Sequence, residues 1–203
     1  MIFDVKTEYF RRKSCLVAGG HMTEMPTTMT YESVVSCERV RLALMLAAFN
    51  ALEVKCGNIE NTYITAPITE KVWSILRPKF GGDTGRTAII VRALYGLKSA
   101  GDSFKSHLCI CMRGLGYEPC MYDTDLWYKA EARPDDGHEY YFYILCYVDD
   151  ILVIHHDSLD ILKRIDSYFK IKPNSIGDPD MYLVTKIKKM TLENRTWCWY
   201  LSL

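Results

Sequence analysis

Apolar residues recur at helical spacing in three segments of the chain, residues 36–50, 99–117 and 158–169. The first segment, SCERVRLALMLAAFN, is rich in helix-forming residues and opens with Ser36, a residue type that caps helix N-termini. The other two carry apolar residues three or four positions apart: Phe104, Leu108, Met112 and Leu115, and Leu159, Leu162, Ile165 and Phe169. The pattern therefore predicts a helix in each segment.

Runs of β-branched and aromatic residues predict strands between these helices. The runs are LEVKCGNIENTYI (52–64), which leads into a turn, KVWSI (71–75), AIIVRAL (88–94), TDLWYKA (124–130), EYYFYILCYV (139–148), ILVIHH (151–156) and an alternating tail from Met181. Two of them flank RPDDGH, whose Asp136-Gly137 pair suits a tight hairpin turn. Helices interspersed with antiparallel strand pairs favour an α+β fold over a doubly wound parallel sheet.

Composition and charge set wide limits on the function. With 203 residues the chain can bury a core as one domain or as two closely joined subdomains. Apolar residues make up 49% and charged residues 25%, a composition typical of globular proteins. The 25 basic and 25 acidic residues balance, so the net charge neither indicates nor excludes a nucleic-acid partner. A site for a polyanion would have to be a local basic patch.

The distribution of apolar residues and cysteines predicts an intracellular protein, cytoplasmic or nuclear and not secreted. No apolar run approaches the roughly 20 residues that a bilayer requires, and the start of the chain lacks the apolar core of a signal peptide. The eight cysteines form no CxxC motif, so we expect reduced thiols and no zinc site. His155 and His156 are neighbours at the end of a predicted strand, where their side chains would point to opposite faces and not bind one ion.

Two adjacent carboxylates, Asp149 and Asp150, stand between the apolar runs YILCYV and ILVI. A solvated acidic turn is one interpretation, because aspartate is common in turns. Between buried strands, however, desolvation and mutual repulsion raise the pKa of paired carboxyls unless a cation compensates. Carboxylate oxygens are hard ligands, so the cation would be magnesium or manganese rather than zinc.

Several segments carry a resemblance to one protein family. YVDD between apolar strands resembles the signature of reverse transcriptases, and RALYGLKSAGDSF (92–104) resembles the ALYGLK segment of copia-type LTR retrotransposon polymerases. Further segments match blocks of that family in the same order: RRKSCLVAGGH (11–21), TYESVVSCERVRLAL (30–44), NIENTYITAPITEKVW (58–73) and DPDMYLVTKIKK (178–189). The resemblance implies polymerase fingers and palm over residues 1–203, with an antiparallel palm sheet backed by helices. Thumb, RNase H and integrase would be other segments of the parent polyprotein.

The resemblance also implies a reaction, a cofactor and partners. RNA-directed DNA polymerases are nucleotidyltransferases that extend a primer from dNTPs on a nucleic-acid template, with no membrane partner. They use two Mg²⁺ ions, or Mn²⁺, about 4 Å apart. Asp149 and Asp150 match two of the three carboxylates that hold these ions. The third position carries Asn58 where the family usually has aspartate, so we expect strongly impaired catalysis. The alternatives are that Asn58 is tolerated or that Glu60 substitutes for the missing acid.

Other positions match the family in part. Lys13, Tyr63, Gly96 and Lys98 match the nucleotide-binding positions, and Lys186 and Lys188 lie where the nucleic-acid backbone would be contacted. Two further departures are Cys15, where the family usually has an arginine for the triphosphate, and Val184, which replaces a glycine of the hairpin that holds the primer end.

Three interpretations follow from these matches and departures. The chain is an impaired polymerase domain, a remnant that binds nucleic acid without catalysis, or a degenerate relic without a selected function. Binding of a template-primer without nucleotide incorporation would separate the second from the first, and failure to find a folded product would favour the third.

Overall fold

The fold is α+β, as the sequence predicts, and it divides into two units. The computed structural model describes residues 2–6, 11–20, 36–183, 185–193 and 197–202. The first unit comprises Met1–Glu32 and Asn61–Leu108, and the second comprises Ser33–Glu60 and Cys109–Leu203. Among the described residues, no helix is both long and apolar enough to span a bilayer.

The described strands and helices alternate irregularly along the chain. In order they are β1 (Ile2–Lys6), β2 (Arg11–Cys15), α1 (Cys37–Phe49), β3 (Glu53–Asn58), α2 (Thr62–Thr65), β4 (Pro67–Ile75), β5 (Thr87–Arg92), α3 (Ala100–Gly114), β6 (Glu118–Cys120), β7 (Asp123–Ala132), β8 (Glu139–Tyr147), β9 (Asp150–His155), α4 (Ser158–Asp166), β10 (Met181–Tyr182), β11 (Thr185–Thr191) and β12 (Trp197–Ser202). Short 3₁₀ helices cover Pro78–Asp83 and Pro173–Ser175.

An antiparallel sheet of five strands, in the order β3-β9-β8-β7-β6, forms the centre of the second unit. Helices α1 and α4 pack against β3 and β9. The apolar faces predicted from sequence supply the core, whose fully buried side chains include Leu44, Val54, Trp127, Phe142, Ile144, Leu145, Ile151, Leu152, Ile154, Leu162 and Ile165. Burial of these side chains provides the main stabilisation of the unit.

Local capping explains where two of these helices begin. The Ser36 hydroxyl accepts a hydrogen bond from the Arg39 amide at 3.4 Å, as the sequence predicts. The Asp157 carboxylate does the same for the Asp160 amide at 3.0 Å, so α4 starts directly after β9. One detail differs from the predicted helical face, because Leu159 is exposed and Ile161 is buried instead.

Strand β3 lies at the edge of the sheet, and the chain after α4 covers that edge. Isolated bridges join Cys56 to Gly177 and Ile59 to Ile171. Covering an edge strand satisfies its outward backbone groups. The segment 171–177 is thereby held alongside the C-terminal end of β3.

The predicted terminal hairpin is present as the three-stranded sheet β10-β11-β12. The buried Tyr182 hydroxyl donates to the Leu145 carbonyl at 3.1 Å, which ties this sheet to β8. Val184, the residue expected to replace a glycine here, lies outside the described residues.

The first unit contains two antiparallel pairs, β1-β2 and β4-β5. The strand predicted over 52–64 is shorter than expected: β3 stops at Asn58 and residues 62–65 form one helical turn. Asn61, with φ of 53°, begins that turn. Asparagine tolerates this left-handed conformation, which redirects the chain out of the sheet.

Candidate functional site

The two predicted acids lie at a tight turn between β8 and β9. Tyr147 pairs with Asp150 across the two strands, which leaves Val148 and Asp149 as the turn residues. Val148 has a φ of 50°, a left-handed conformation that is costly for a β-branched residue. The turn that presents the acids is therefore strained at Val148.

Replacing Val148 by Asn is expected to raise the free energy of unfolding by roughly 1 kcal/mol, because Asn adopts a left-handed backbone at lower cost than Val. Val148→Ala is the control, since it removes the branching but keeps the Cβ that opposes positive φ. Urea denaturation at pH 7 measures both. If Val148→Asn is no more stable than Val148→Ala, backbone strain at the turn is not the cause.

Asn58 lies directly opposite the turn, at the end of the neighbouring strand. It pairs with Asp150 in the register of β3 and β9, and the Ile59 amide donates to the Asp149 carbonyl at 2.7 Å. The Asn58 Nδ2 donates to Asp149 Oδ2 at 2.9 Å and to Asp150 Oδ1 at 2.6 Å. The structure thus brings together the three residues that the sequence assigned to one site. Their catalytic role stays a prediction.

Lys172 completes this cluster, and sequence reasoning missed it. Its Nζ donates to Asn58 Oδ1 and lies 4.0 Å from Asp149 Oδ2. The side chains of Lys172 and Asp149 are 47% and 37% exposed, so solvent screens this ion pair substantially. Lys172 is 114 residues from Asn58 in the chain, and no local motif marks it.

The surroundings of Asp150 disfavour its charged form. Burial raises the pKa of Asp150 above its ordinary value, and the nearby Asp149 charge raises it further. The hydrogen bond from Asn58 and the charge of Lys172 lower the pKa in part. The net effect is a carboxyl group held at an energetic cost at neutral pH.

We expect Asp150→Asn to raise the free energy of unfolding at pH 7 in metal-free buffer. The pKa of Asp150 is higher in the folded than in the unfolded chain. At pH values between these two pKa values, the folded state therefore binds more protons than the unfolded state. Stability contributed by this group is therefore lost as pH rises through the interval. The gain in the free energy of unfolding of Asp150→Asn over the parent chain should therefore shrink as the pH falls towards 3.8, the ordinary pKa of the group. Urea titrations across this range measure it, and a gain that is independent of pH would contradict the assignment.

The donor set fits a hard divalent cation. One oxygen of Asp149 and one of Asp150 both lie within hydrogen-bonding distance of the same atom, Asn58 Nδ2, so they face a common point. Carboxylate oxygens are preferred ligands of magnesium and manganese. Glu60, the alternative third acid, lies beyond the end of β3 and forms an ion pair with Lys170 at 3.2 Å. That pairing gives no support to a substitution for the missing acid.

The backbone of the first unit explains why position 96 requires a glycine. Its φ is 89°, and a Cβ at this position would lie 2.3 Å from the Ala18 carbonyl oxygen. The Ala18 amide donates to the Tyr95 carbonyl at 2.8 Å, which brings the two backbones together. A Cβ on Gly20 would in turn lie 1.8 Å from the Gly96 carbonyl oxygen. Both glycines are needed for this close approach.

The other predicted nucleotide-binding residues also lie in the first unit. The Tyr63 ring packs edge-on against Tyr95, with centroids 4.7 Å apart. Lys98 lies in the turn before α3, and Lys13 lies on β2 opposite Asp4. Contact of these residues with a nucleotide stays a prediction.

Lys186 and Lys188, the predicted nucleic-acid contacts, are exposed on β11 and alternate with the buried Ile187. They therefore share one outward face of the strand. Lys189 next to them places its ammonium group 4.1 Å from the centroid of the Trp197 ring. Lys186 and Lys188 are thus exposed together on β11, and their binding to nucleic acid stays a prediction.

A second cluster, Glu131, His155 and His156, lies at the opposite end of β9, with one ligand atom from each within 4.8 Å of the others. The prediction that the two histidines point apart is wrong, because β9 ends at His155 and the rings lie 4.1 Å apart. His155 Nδ1 accepts from the Asp157 amide at 2.9 Å, so Nε2 carries the proton and donates to Glu131 Oε2 at 2.8 Å. A metal on Nε2 would have to break this arrangement, which makes the cluster a structural hydrogen-bond network.

Comparison with known proteins gives matches to one family. The family model of reverse transcriptase (RNA-dependent DNA polymerase) matches residues 2–195. The chain is 25% identical over 162 residues to the retrovirus-related Pol polyproteins from transposons RE2 and RE1 of Arabidopsis thaliana. Each alignment covers 77% of this chain and 11% of the relative, so the chain spans about a tenth of the length of these curated relatives. The chain belongs to the reverse transcriptase family, as a distant relative of the copia-type retrotransposon polymerases.

Proposed function

We propose that the chain is a polymerase domain derived from a retrotransposon, which binds a template-primer and has largely lost DNA synthesis. In this proposal the first unit corresponds to the fingers and the second to the palm. The observation that supports it is the hydrogen bonding of one amide, Asn58 Nδ2, to both Asp149 and Asp150. In this proposal the three residues form a site of the family's kind, with an amide in place of one acid. The intracellular location stays a prediction from sequence.

The ancestral reaction assigns a role to each of these residues. Asp149 and Asp150 would hold magnesium, which when bound activates the primer hydroxyl and neutralises the leaving pyrophosphate. Lys13 and Lys98 would bind the triphosphate, and Tyr63 would pack under the sugar and exclude a 2′-hydroxyl. Gly96 would keep the backbone beneath the nascent base pair in place, a role supported by its close contact with Ala18.

Asn58 explains the expected loss of activity. An amide supplies no negative charge, and one unit charge at 4 Å is worth about 4 kcal/mol at an effective dielectric of 20. By transition-state arithmetic this corresponds to about a thousandfold in rate. The amide also directs N–H donors at the two carboxylates, the opposite polarity to that of a third ligand oxygen. Cys15 adds to the loss, because a thiol cannot bind phosphate as a guanidinium does.

A remnant that binds nucleic acid without catalysis is the second candidate function. The Asn58 amide donates one hydrogen bond to each carboxylate and so offsets part of the cost of holding the pair without a cation. The nucleic-acid surface would then be retained while the chemistry is lost.

The test measures binding and incorporation on the same molecule. Fluorescence anisotropy with a labelled RNA–DNA template-primer measures binding, and a single-nucleotide extension gel with magnesium measures incorporation. We expect binding that weakens as salt rises, because phosphate contacts release counterions, and weak incorporation that exceeds that of an Asp149→Asn, Asp150→Asn double variant. Binding with incorporation only at the level of that double variant would favour the second candidate. Absence of binding at low salt would overturn both candidate functions.

A further inference from the structure

We propose that Lys172 is an internal counter-ion of the Asp149–Asp150 pair, and that a divalent cation binds there only by displacing its ammonium group. The inference rests on the proposed function in one respect, since it takes the acid pair as the cation site. It adds a positioning residue that the resemblance does not assign.

The contacts of Lys172 place its charge at the pair. Its Nζ donates to Asn58 Oδ1 and lies 4.0 Å from Asp149 Oδ2. Asn58 in turn donates from Nδ2 to both carboxylates. An ammonium, an amide and two carboxylates thus form one continuous network, in which the ammonium polarises the amide towards the acids.

The backbone holds Lys172 in this place. The Lys172 amide donates to the Asn58 carbonyl at 2.9 Å, and the Asn58 amide donates to the Ser175 hydroxyl at 2.8 Å. The same hydroxyl donates to the Lys172 carbonyl at 2.7 Å. Because both the amide and the carbonyl of Asn58 are bonded to the Lys172–Ser175 turn, the backbone of Lys172 is held beside Asn58, within reach of the acids.

Lys172 weakens the binding of a divalent cation to the acid pair in two ways. Its positive charge repels an ion coordinated by Asp149. Its hydrogen bond to Asn58 Oδ1 also keeps the amide turned so that N–H donors, and not the carbonyl oxygen, face the carboxylates. Without Lys172, the amide is free to turn over and offer its oxygen as a third ligand.

Binding of Mn²⁺, followed by the EPR signal of the free ion in metal-stripped protein, tests the proposal. Lys172→Met should tighten Mn²⁺ binding about tenfold relative to the parent chain, whereas Lys172→Arg should leave it near the parent value because the charge is kept. Lys170→Met is the matched control. Lys170 lies two residues before Lys172 and pairs with Glu60, so this variant removes the same charge without touching the acid pair. It should change the affinity less than twofold.

Several outcomes would overturn the proposal: no tightening in Lys172→Met, equal tightening in Lys170→Met, or tightening that persists when Asp149 and Asp150 are both replaced by Asn. Circular dichroism confirms that each variant is folded, and Lys172→Gln serves in place of Lys172→Met if the latter is not. The measurement needs neither template nor dNTP. If Lys172→Met binds Mn²⁺ more tightly but the parent chain binds no template-primer, this inference stands and the proposed function fails. If the parent chain binds template-primer but Lys172→Met does not bind Mn²⁺ more tightly, the proposed function stands and this inference fails.

Discussion

Asn58→Asp should raise magnesium-dependent primer extension by about a thousandfold over the parent chain. The substitution places a third carboxylate where the Asn58 amide now contacts Asp149 and Asp150, at 2.9 and 2.6 Å. The restored charge is worth about 4 kcal/mol at this separation, which gives the rate factor. Single-turnover extension of a primed RNA template, at protein concentrations that saturate the template-primer, compares the rate of nucleotide addition by the two chains.

The control for this comparison is Asn61→Asp. Asn61 is exposed and lies outside the acid cluster, with a φ of 53° that aspartate tolerates. The Asn61→Asp variant adds the same charge to the chain as Asn58→Asp, and its rate of primer extension should equal that of the parent chain. Equal extension by the parent and by Asn58→Asp would show that residue 58 does not limit the reaction.

Gly96→Ala is expected to lower the free energy of unfolding of the first unit by about 2–4 kcal/mol. One part of the cost comes from the φ of 89°, which an alanine adopts unfavourably, and the other from the Cβ, which would lie 2.3 Å from the Ala18 carbonyl oxygen. Because the obstacle is backbone, the two chain segments that carry Ala18 and Gly96 must separate to relieve it. Urea denaturation measures the change.

Two other glycines of the same unit separate the contributions. Gly85 has a φ of 84° with no atom within 4 Å of an added Cβ, so Gly85→Ala isolates the conformational cost. Gly82 also has open space and no left-handed φ, so Gly82→Ala should be nearly neutral. If Gly96→Ala costs no more than Gly85→Ala, the close approach to Ala18 is not important for stability.

The meeting of Asp149, Asp150 and Asn58 was predictable from the sequence, whereas their role in catalysis stays a prediction. The apolar runs around Asp149 and Asp150 fix two neighbouring strands with a turn between them, and the resemblance aligns Asn58 with the missing acid. The pairing of β3 with β9, which the resemblance implies and the structure shows, then brings Asn58 opposite Asp150. The same reasoning predicted the hairpin of β7 and β8 and the helix that Ser36 caps.

The parts that could not be predicted depend on the path of the chain in space. Lys172 reaches the site because the segment after α4 covers the free edge of β3, and no residue pattern in that segment indicates this. The histidines show the limit of periodicity: alternation holds inside a strand, but His156 follows the last residue of β9, where the chain turns. Asn61 likewise ends the extended run early through a backbone conformation that composition does not reveal.

In the proposed function, Asp149, Asp150 and residue 58 form one cation site that lacks a single acid. Anomalous diffraction from crystals of Asn58→Asp soaked with Mn²⁺ would locate the ion. We expect an anomalous peak within about 2.5 Å of a carboxylate oxygen from each of Asp149, Asp150 and the introduced aspartate, a usual metal–oxygen distance. A peak bound only elsewhere, or none at these three side chains, would contradict it.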